Sequence, residues 1–251
     1  MFSLFKSKSN YSIADFSALG VDMHSHLIPG IDDGAVTMED SLALVDRFVQ
    51  LGFKKIITTP HIMSDYFKNT PEIILDGLKN LRQAIAEKQI DFKVDAAAEY
   101  YLDENLVGLV EGKKVLSFGK EKYVLFELSY INAPSNLKEA IFKLITSGYT
   151  PVLAHPERYP YYYNDFDEYE NLKDSGCVLQ LNTISLSGYY GKGAKKIAEK
   201  LIDANLIEML GSDMHHQRHA AALRQSLSEK SLKKLLESDI LLNTSLLEDI
   251  N

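Results

Sequence analysis

Chemistry in this 251-residue chain concentrates on its histidines and on a few acids that keep regular company with them. Five of the seven histidines, His24, His26, His61, His155 and His215, fall with Glu99, Glu127 and Asp213 where short apolar runs give way to polar loops. Imidazoles and carboxylates without a neighbouring thiolate suit Mn, Fe, Zn or Ni. If residues 21–26 are extended, Asp22, His24 and His26 share one face while Met23 and Ser25 take the other. Two imidazoles so placed can bite one cation from the same side. The next loop adds adjacent acids, Asp32 and Asp33, one of which brings the candidate ligands to about nine. At roughly four to six ligands per ion, some shared or completed by water, that set suggests two or three divalent ions. Charge argues the same way, because clustered carboxylates alone repel an anionic substrate and bound cations reverse the sign.

His155-Pro156-Glu157-Arg158 follows one of these strand ends. A guanidinium at Arg158 could clamp phosphate oxygens bidentately; the alternative is a surface arginine paired with Glu157 or another acid. Arg218 is a weaker candidate of the same type, and His216 and His219 beside it either orient a ligand or are solvated. Tyrosines are dense along the expected rim: Tyr66, Tyr100, Tyr101, Tyr159, Tyr161, Tyr162, Tyr163, Tyr189 and Tyr190. Such rings can face a planar substrate, or pack on one another as loop anchors, the commoner case. Other routes are absent. Thr183 stands where a cysteine-dependent phosphatase loop starting at Cys177 needs arginine, no Gly-x-Ser-x-Gly elbow occurs, and Gly191-Lys192-Gly193 is not a full phosphate-binding loop.

The elements that must position these groups alternate. Strands are expected at 21–26, 54–59, 92–98, 123–127, 150–154, 177–181 and 206–210, and helical patterns lie between them. Thr37 to Asp40 reads as a capping box before a helix whose Leu42, Val45, Phe48 and Val49 share a face and which Gly52 stops. Thr70-Pro71 opens a longer helix with Ile74, Leu78, Leu81 and Ile85 at helical spacing. Further helices are expected near 103–110, 136–146, 166–175 and 194–203, with helical pattern over 220–250. The polar strand-end residues His24, His61, Glu99, Glu127, His155, Asn182 and Asp213 are 37, 38, 28, 28, 27 and 31 residues apart, one strand–helix unit each. That is an α/β fold with a parallel sheet, and we expect a distorted seven-unit (β/α) barrel, TIM-like, whose strand ends converge on one face. Residues 1–19 read as a flexible or loosely docked leader, and 20–251 as the barrel.

Composition fits this reading and excludes others. With 45% hydrophobic and 25% charged residues, the chain is ordinary for a globular protein. Its net charge of −8 shows no basic stripe for nucleic acid. No apolar run approaches the ~20 residues of a membrane helix. A single cysteine, Cys177, excludes internal disulfides and fits a cytoplasmic setting.

Taken in order, Asp22-Met23-His24-Ser25-His26, Asp32-Asp33-Gly34, Thr59-Pro60-His61, Ala98-Glu99-Tyr100-Tyr101, Phe126-Glu127, Ala154-His155-Pro156-Glu157-Arg158-Tyr159 and Ser212-Asp213-Met214-His215 resemble the PHP (polymerase and histidinol phosphatase) superfamily. Within it the chain is most similar to the manganese-dependent bacterial protein tyrosine phosphatases of the CpsB/YwqE kind. The resemblance implies that His24, His26 and Asp213 hold one Mn2+ with a bridging glutamate. It implies that Glu99 or Glu127 bridges to a second ion on His155, and that Asp33 (or Asp32), His61 and His215 hold a third. Arg158 matches the family's phosphate-contacting arginine; Arg218 follows His215 sooner than the family's second arginine does. The implied substrate is a phosphorylated bacterial tyrosine kinase controlling capsule or exopolysaccharide export, dephosphorylated by metal-activated hydroxide. Alternatives are a PHP-type histidinol-phosphatase or other small-molecule phosphoesterase, and a non-catalytic metal-dependent phosphotyrosine-binding protein.

Overall fold

Local signals act much as the sequence dictates. The computed structural model describes residues 13–248. Helix α1 (Met38–Gln50) begins at a capping box in which Thr37 Oγ1 accepts from Asp40 N–H and Asp40 accepts from Thr37 N–H. Its buried stripe is Ser41, Leu44, Val45 and Phe48, while Val49 is exposed. A 3.6-residue period starting at Ser41 returns at Leu44, Val45 and Phe48 and leaves Val49 on the flank, which corrects the expected face. Helix α2 (Pro71–Glu87) buries Ile74, Leu78, Leu81 and Ile85, as its spacing requires. The later helices are α3 (Glu104–Glu111), α4 (Leu137–Thr146), α5 (Asp167–Asp174), α6 (Gly191–Asp203), α7 (Gln217–Ser226) and α8 (Lys230–Leu236). The helical pattern expected over 220–250 therefore breaks into α7, α8 and a 3-10 turn at Asn243–Leu247, with 249–251 outside the described residues.

Among the described residues the strands are nine short pieces: β1 (Val21–Asp22), β2 (Lys55–Thr58), β3 (His61–Ile62), β4 (Lys93–Ala96), β5 (Glu99–Tyr101), β6 (Tyr123–Glu127), β7 (Thr150–Ala154), β8 (Val178–Asn182) and β9 (Met209–Gly211). All neighbours run parallel, in two sheets ordered β1-β2-β4 and β3-β5-β6-β7-β8-β9. The second and third expected strands appear as β2 and β4, and each is followed, after a break at Thr59-Pro60 or Ala97-Ala98, by a further short strand that was not expected, β3 or β5, so one expected sheet becomes two. Proline has no N–H to continue a ladder. Backbone bonds span the breaks, from Thr59 N to Ser25 O at 2.7 Å and from Glu99 N to Pro60 O at 3.1 Å. Beyond β1 the chain meets the segment after β9, with Asp213 N donating to His24 O at 2.7 Å and His26 N to Met214 O at 2.9 Å. Two glycines permit these approaches: a Cβ on Gly34 would lie 2.2 Å from His26 O, and one on Gly211 would lie 2.4 Å from His24 Cβ.

The described part of the expected leader, residues 13–19, packs on the core. Phe16 is fully buried against Phe53, ring centroids 4.9 Å apart, and Leu19 is buried too. The remainder of that leader, residues 1–12, lies outside the described residues. At the opposite end from the histidines, β1 and β9 are joined through Asn243. Its buried amide donates to Val21 O at 2.9 Å and Leu210 O at 2.8 Å, and accepts from Leu210 N–H at 2.9 Å. Asn243→Ala leaves three buried backbone groups unpaired and is expected to cost about 2–4 kcal/mol. Urea unfolding checks this; a loss below about 0.5 kcal/mol would show that Asn243 does not tie the two strands.

Candidate metal centre

Every strand-end residue singled out from the sequence, apart from Asn182, has its side chain in one tight cluster, and Asn182 stands directly behind it. The centre is Glu99, fully buried at the start of β5. Its Oε2 lies 3.0 Å from His24 Nε2, 3.3 Å from His26 Nε2 and 3.3 Å from His61 Nδ1, and its Oε1 lies 3.0 Å from His155 Nε2. Glu127, closing β6, is 3.3 Å from His61 Nδ1 and 4.0 Å from His155 Nε2. Asp213 Oδ1 is 3.4 Å from His24 Nε2, His26 Nε2 and His215 Nδ1. Asp33 Oδ1 is 3.5 Å from His61 Nε2 and 3.3 Å from His215 Nε2.

Among the described residues, three overlapping sets have donor atoms within 4.8 Å of one another: His24, His26, Glu99 and Asp213; His26, Asp33, His61 and His215; and His61, Glu99 and Glu127. His155 joins through Glu99. The cluster opens into a cavity of 390 Å³ that is also lined by Phe67, Tyr130, Arg158, Tyr190, His216 and His219.

Surrounding hydrogen bonds decide which nitrogen each imidazole presents. His26 Nδ1–H donates to Asp32 at 2.8 Å, and His24 Nδ1–H donates to Gln180 Oε1 at 2.9 Å, so both turn Nε2 inward. Asp32 also accepts from Gly34 N and His61 N, at 2.9 and 3.2 Å, which occupies it as a support. Asp33 is the member of the adjacent pair that reaches the cluster. From Gln180 a chain continues: its amide donates to Asn182 Oδ1 at 3.0 Å, and Asn182 donates to Asp213 Oδ2 at 2.7 Å. His155 and Asp213 both have left-handed backbone, φ +36° and +53°, a conformation kept where surrounding contacts over-determine it.

Electrostatics show a site balanced by protons when no cation is present. Burial opposes charge on His24, but Glu99 and Asp213 overcome it and lift its pKa to about 9. His26 and His61 are raised against burial in the same way, His26 by Asp32 and His61 by Glu99. Burial would raise Glu99, but the charges of His24 and His61 hold it well below the usual carboxylate range. His155 is lowered by burial and by Arg158. The donor set therefore fits divalent cations, which would replace the shared protons. One buried atom makes the fit specific: His61 Nδ1 faces Glu99 and Glu127 yet makes no hydrogen bond.

The two arginines part company. Arg158 lines the cavity and donates to Asp213 Oδ2 at 2.9 Å. It does not pair with Glu157, whose buried carboxylate instead accepts from Ser185 at 2.6 Å and Asn182 N at 3.2 Å. Arg218 is exposed and outside the lining. In the first turn of α7 it is His219, buried and 5.5 Å from His215 between ring centroids, that points inward; Arg218, one residue earlier, is turned about 100° away. This corrects its expected place beside the site.

Most of the tyrosines are anchors. Tyr100 accepts from Leu116 N, Tyr159 donates to Ala154 O, and Tyr159, Tyr161, Tyr162 and Tyr169 pack ring on ring. Tyr190 alone of the expected rim set lines the cavity, and Tyr130, absent from that set, joins it. The signals for the missed residues were present: Gln180 alternates with Asn182 in an apolar strand, and Tyr130 stands three residues past Glu127 as Arg158 does past His155.

Comparison with known proteins agrees with this geometry. The chain is 30% identical over 196 residues to the tyrosine-protein phosphatase YwqE of Bacillus subtilis, covering 78% of this chain and 77% of that one. It is 28% identical over 201 residues to the tyrosine-protein phosphatase CpsB of Streptococcus pneumoniae, covering 78% and 83%. Among solved structures it matches one described with YwqE of B. subtilis and CpsB of S. pneumoniae as "unique metal-dependent tyrosine phosphatases", with a TM-score of 0.80 and 28% identity over 88% of this chain and 89% of that one. A family model described as "Capsular polysaccharide synthesis, CpsB/CapC" matches residues 20–242, and the chain belongs to that family.

Proposed function

We propose that the chain is a metal-dependent protein tyrosine phosphatase, cytoplasmic, that acts on phosphotyrosine of a bacterial tyrosine kinase regulating capsule or exopolysaccharide synthesis. The observation that carries the reading is Glu99, one carboxylate within 3.0–3.3 Å of four imidazoles at the floor of a cavity that Arg158 also lines. The family and the named activities of its relatives give the substrate class. In this reading the two sheets are one distorted seven-unit barrel whose strand ends carry the site.

His24, His26 and Asp213 would hold one ion, Glu127 and His155 a second, and Asp33, His61 and His215 a third, with Glu99 at the centre of the set. Bound Mn2+, two or three ions per chain, would supply Lewis acidity and a nucleophile available at neutral pH. The protein does the positioning. Asp32 and Gln180 fix the imidazoles that face inward, and Asn182 fixes Asp213. Arg158 offers its remaining N–H groups to equatorial phosphate oxygens, where negative charge is held during in-line displacement. Phenolate leaves readily, so little of the barrier falls on a general acid.

With Mn2+ present, the protein is expected to release phosphate from a phosphotyrosyl peptide much faster than from histidinol phosphate. A chelator should abolish the activity, and His155→Ala or Asp213→Ala should lower kcat/KM by a factor on the order of 100 or more. Full activity in either variant, or preference for histidinol phosphate, contradicts the assignment.

The proton balance predicts a pH effect in the metal-free protein. His24 has a folded pKa of about 9, above its unfolded value, so its stabilisation is complete below about pH 6.5 and is lost as pH rises through 9. His26 and His61 shift the same way. The Tm of metal-free protein should fall between pH 6.5 and 9, and added Mn2+ should reverse the fall. A Tm that rises over that interval without metal would contradict this balance.

A further inference from the structure

Arg158 lies over the faces of two tyrosine rings. Its guanidinium carbon lies 4.0 Å from the ring centroid of Tyr190 and 4.9 Å from that of Tyr130. Tyr190 reaches it from the loop before α6, and Tyr130 from the loop after β6. Among the described residues its one protein acceptor is Asp213 Oδ2, at 2.9 Å. That oxygen is already shared, accepting from Asn182 at 2.7 Å and from the Tyr190 hydroxyl at 3.2 Å.

This arrangement bears on how the arginine works. A guanidinium with only 22% of its side chain exposed has lost much of its water. Its single carboxylate partner is also a candidate metal ligand through Oδ1, so a loaded site draws that negative charge toward the cations. The negative faces of two aromatic rings then remain to offset the arginine's desolvation. They also hold the guanidinium where it lines the cavity, with N–H groups beyond the one on Asp213 left for a ligand. A lysine could not be held this way, because its charge has no plane to orient.

We propose that Tyr130 and Tyr190 are positioning residues that grip the guanidinium of Arg158 between their rings and set the orientation in which it meets phosphate. The inference rests on the phosphatase reading of the site. What acts is the ring face; the two hydroxyls are secondary.

The test uses the Mn2+-loaded full chain and two readouts: binding of inorganic phosphate by calorimetry, and kcat and KM with p-nitrophenyl phosphate. Tyr190→Leu and Tyr130→Leu are each expected to weaken phosphate binding and raise KM roughly 10-fold, the size of one desolvated cation–π contact. In both, kcat should change less than about threefold and metal content should be unchanged. Tyr190→Phe and Tyr130→Phe should stay within about threefold of wild type in both readouts. In the Arg158→Ala background, where there is no guanidinium to hold, the Leu substitutions should have no further effect.

Leu variants that bind phosphate like wild type would overturn the proposal. So would Phe variants as impaired as Leu, a loss of bound metal in the Leu variants, or Leu effects undiminished without Arg158. Binding and turnover separate the two claims. A wild-type protein that binds phosphate without releasing it from an ester contradicts the phosphatase reading alone; one that binds no phosphate contradicts both.

Discussion

A single buried carboxylate organises this molecule. Glu99 has no exposure, and around it stand His24, His26, His61 and His155 from three separate stretches of chain. An isolated charge at such depth would cost several kcal/mol, and so would bare imidazolium groups. Brought together they compensate, first by sharing protons and, in the proposed reading, by sharing cations. The strand ends must therefore arrive in register, because a cluster missing one partner leaves another charge buried and unpaired.

The fold supplies that register with means that are visible in detail. Within each sheet the parallel strands point their C-terminal ends the same way. Glycines at 34 and 211 let other segments press on the backbone and side chains of His26 and His24. Behind the cluster, Asp32, Gln180 and Asn182 accept or donate the bonds that aim the inner groups. The left-handed backbone at His155 and Asp213 shows where the chain bends sharply off a strand to deliver a side chain. The splitting of the expected sheet at Pro60 belongs with this: His61 sits just past the break, on a two-residue strand that pairs with Glu99. That displacement brings His61 Nδ1 beside the carboxylate.

Much of this was legible in the sequence because one physical fact repeats: each strand–helix unit ends on a polar residue, and parallel ends converge. His24, His61, Glu99, Glu127, His155 and Asp213 could be found by that spacing alone. What could not be read depends on orientation. Asp32 and Asp33 are chemically equivalent in sequence, and only the fold shows one turned to His26 and the other to His61 and His215. Arg218 and His219 are neighbours on a helix, so a rotation of one position decides which faces the site. Tyr130 was hidden because loop tyrosines usually pack on other tyrosines, as Tyr159 to Tyr162 do here. Asn243 lies among leucines, and its role appears only when β1 and β9 are seen side by side.

The most direct test of the caged-cation account is the number of ions the chain holds. Elemental analysis after equilibrium dialysis against Mn2+ should give about two or three ions per wild-type chain. Glu99→Ala should lose at least one of them while remaining folded by circular dichroism. A wild-type chain with only trace metal, or a Glu99→Ala chain holding as many ions as wild type, would contradict the account.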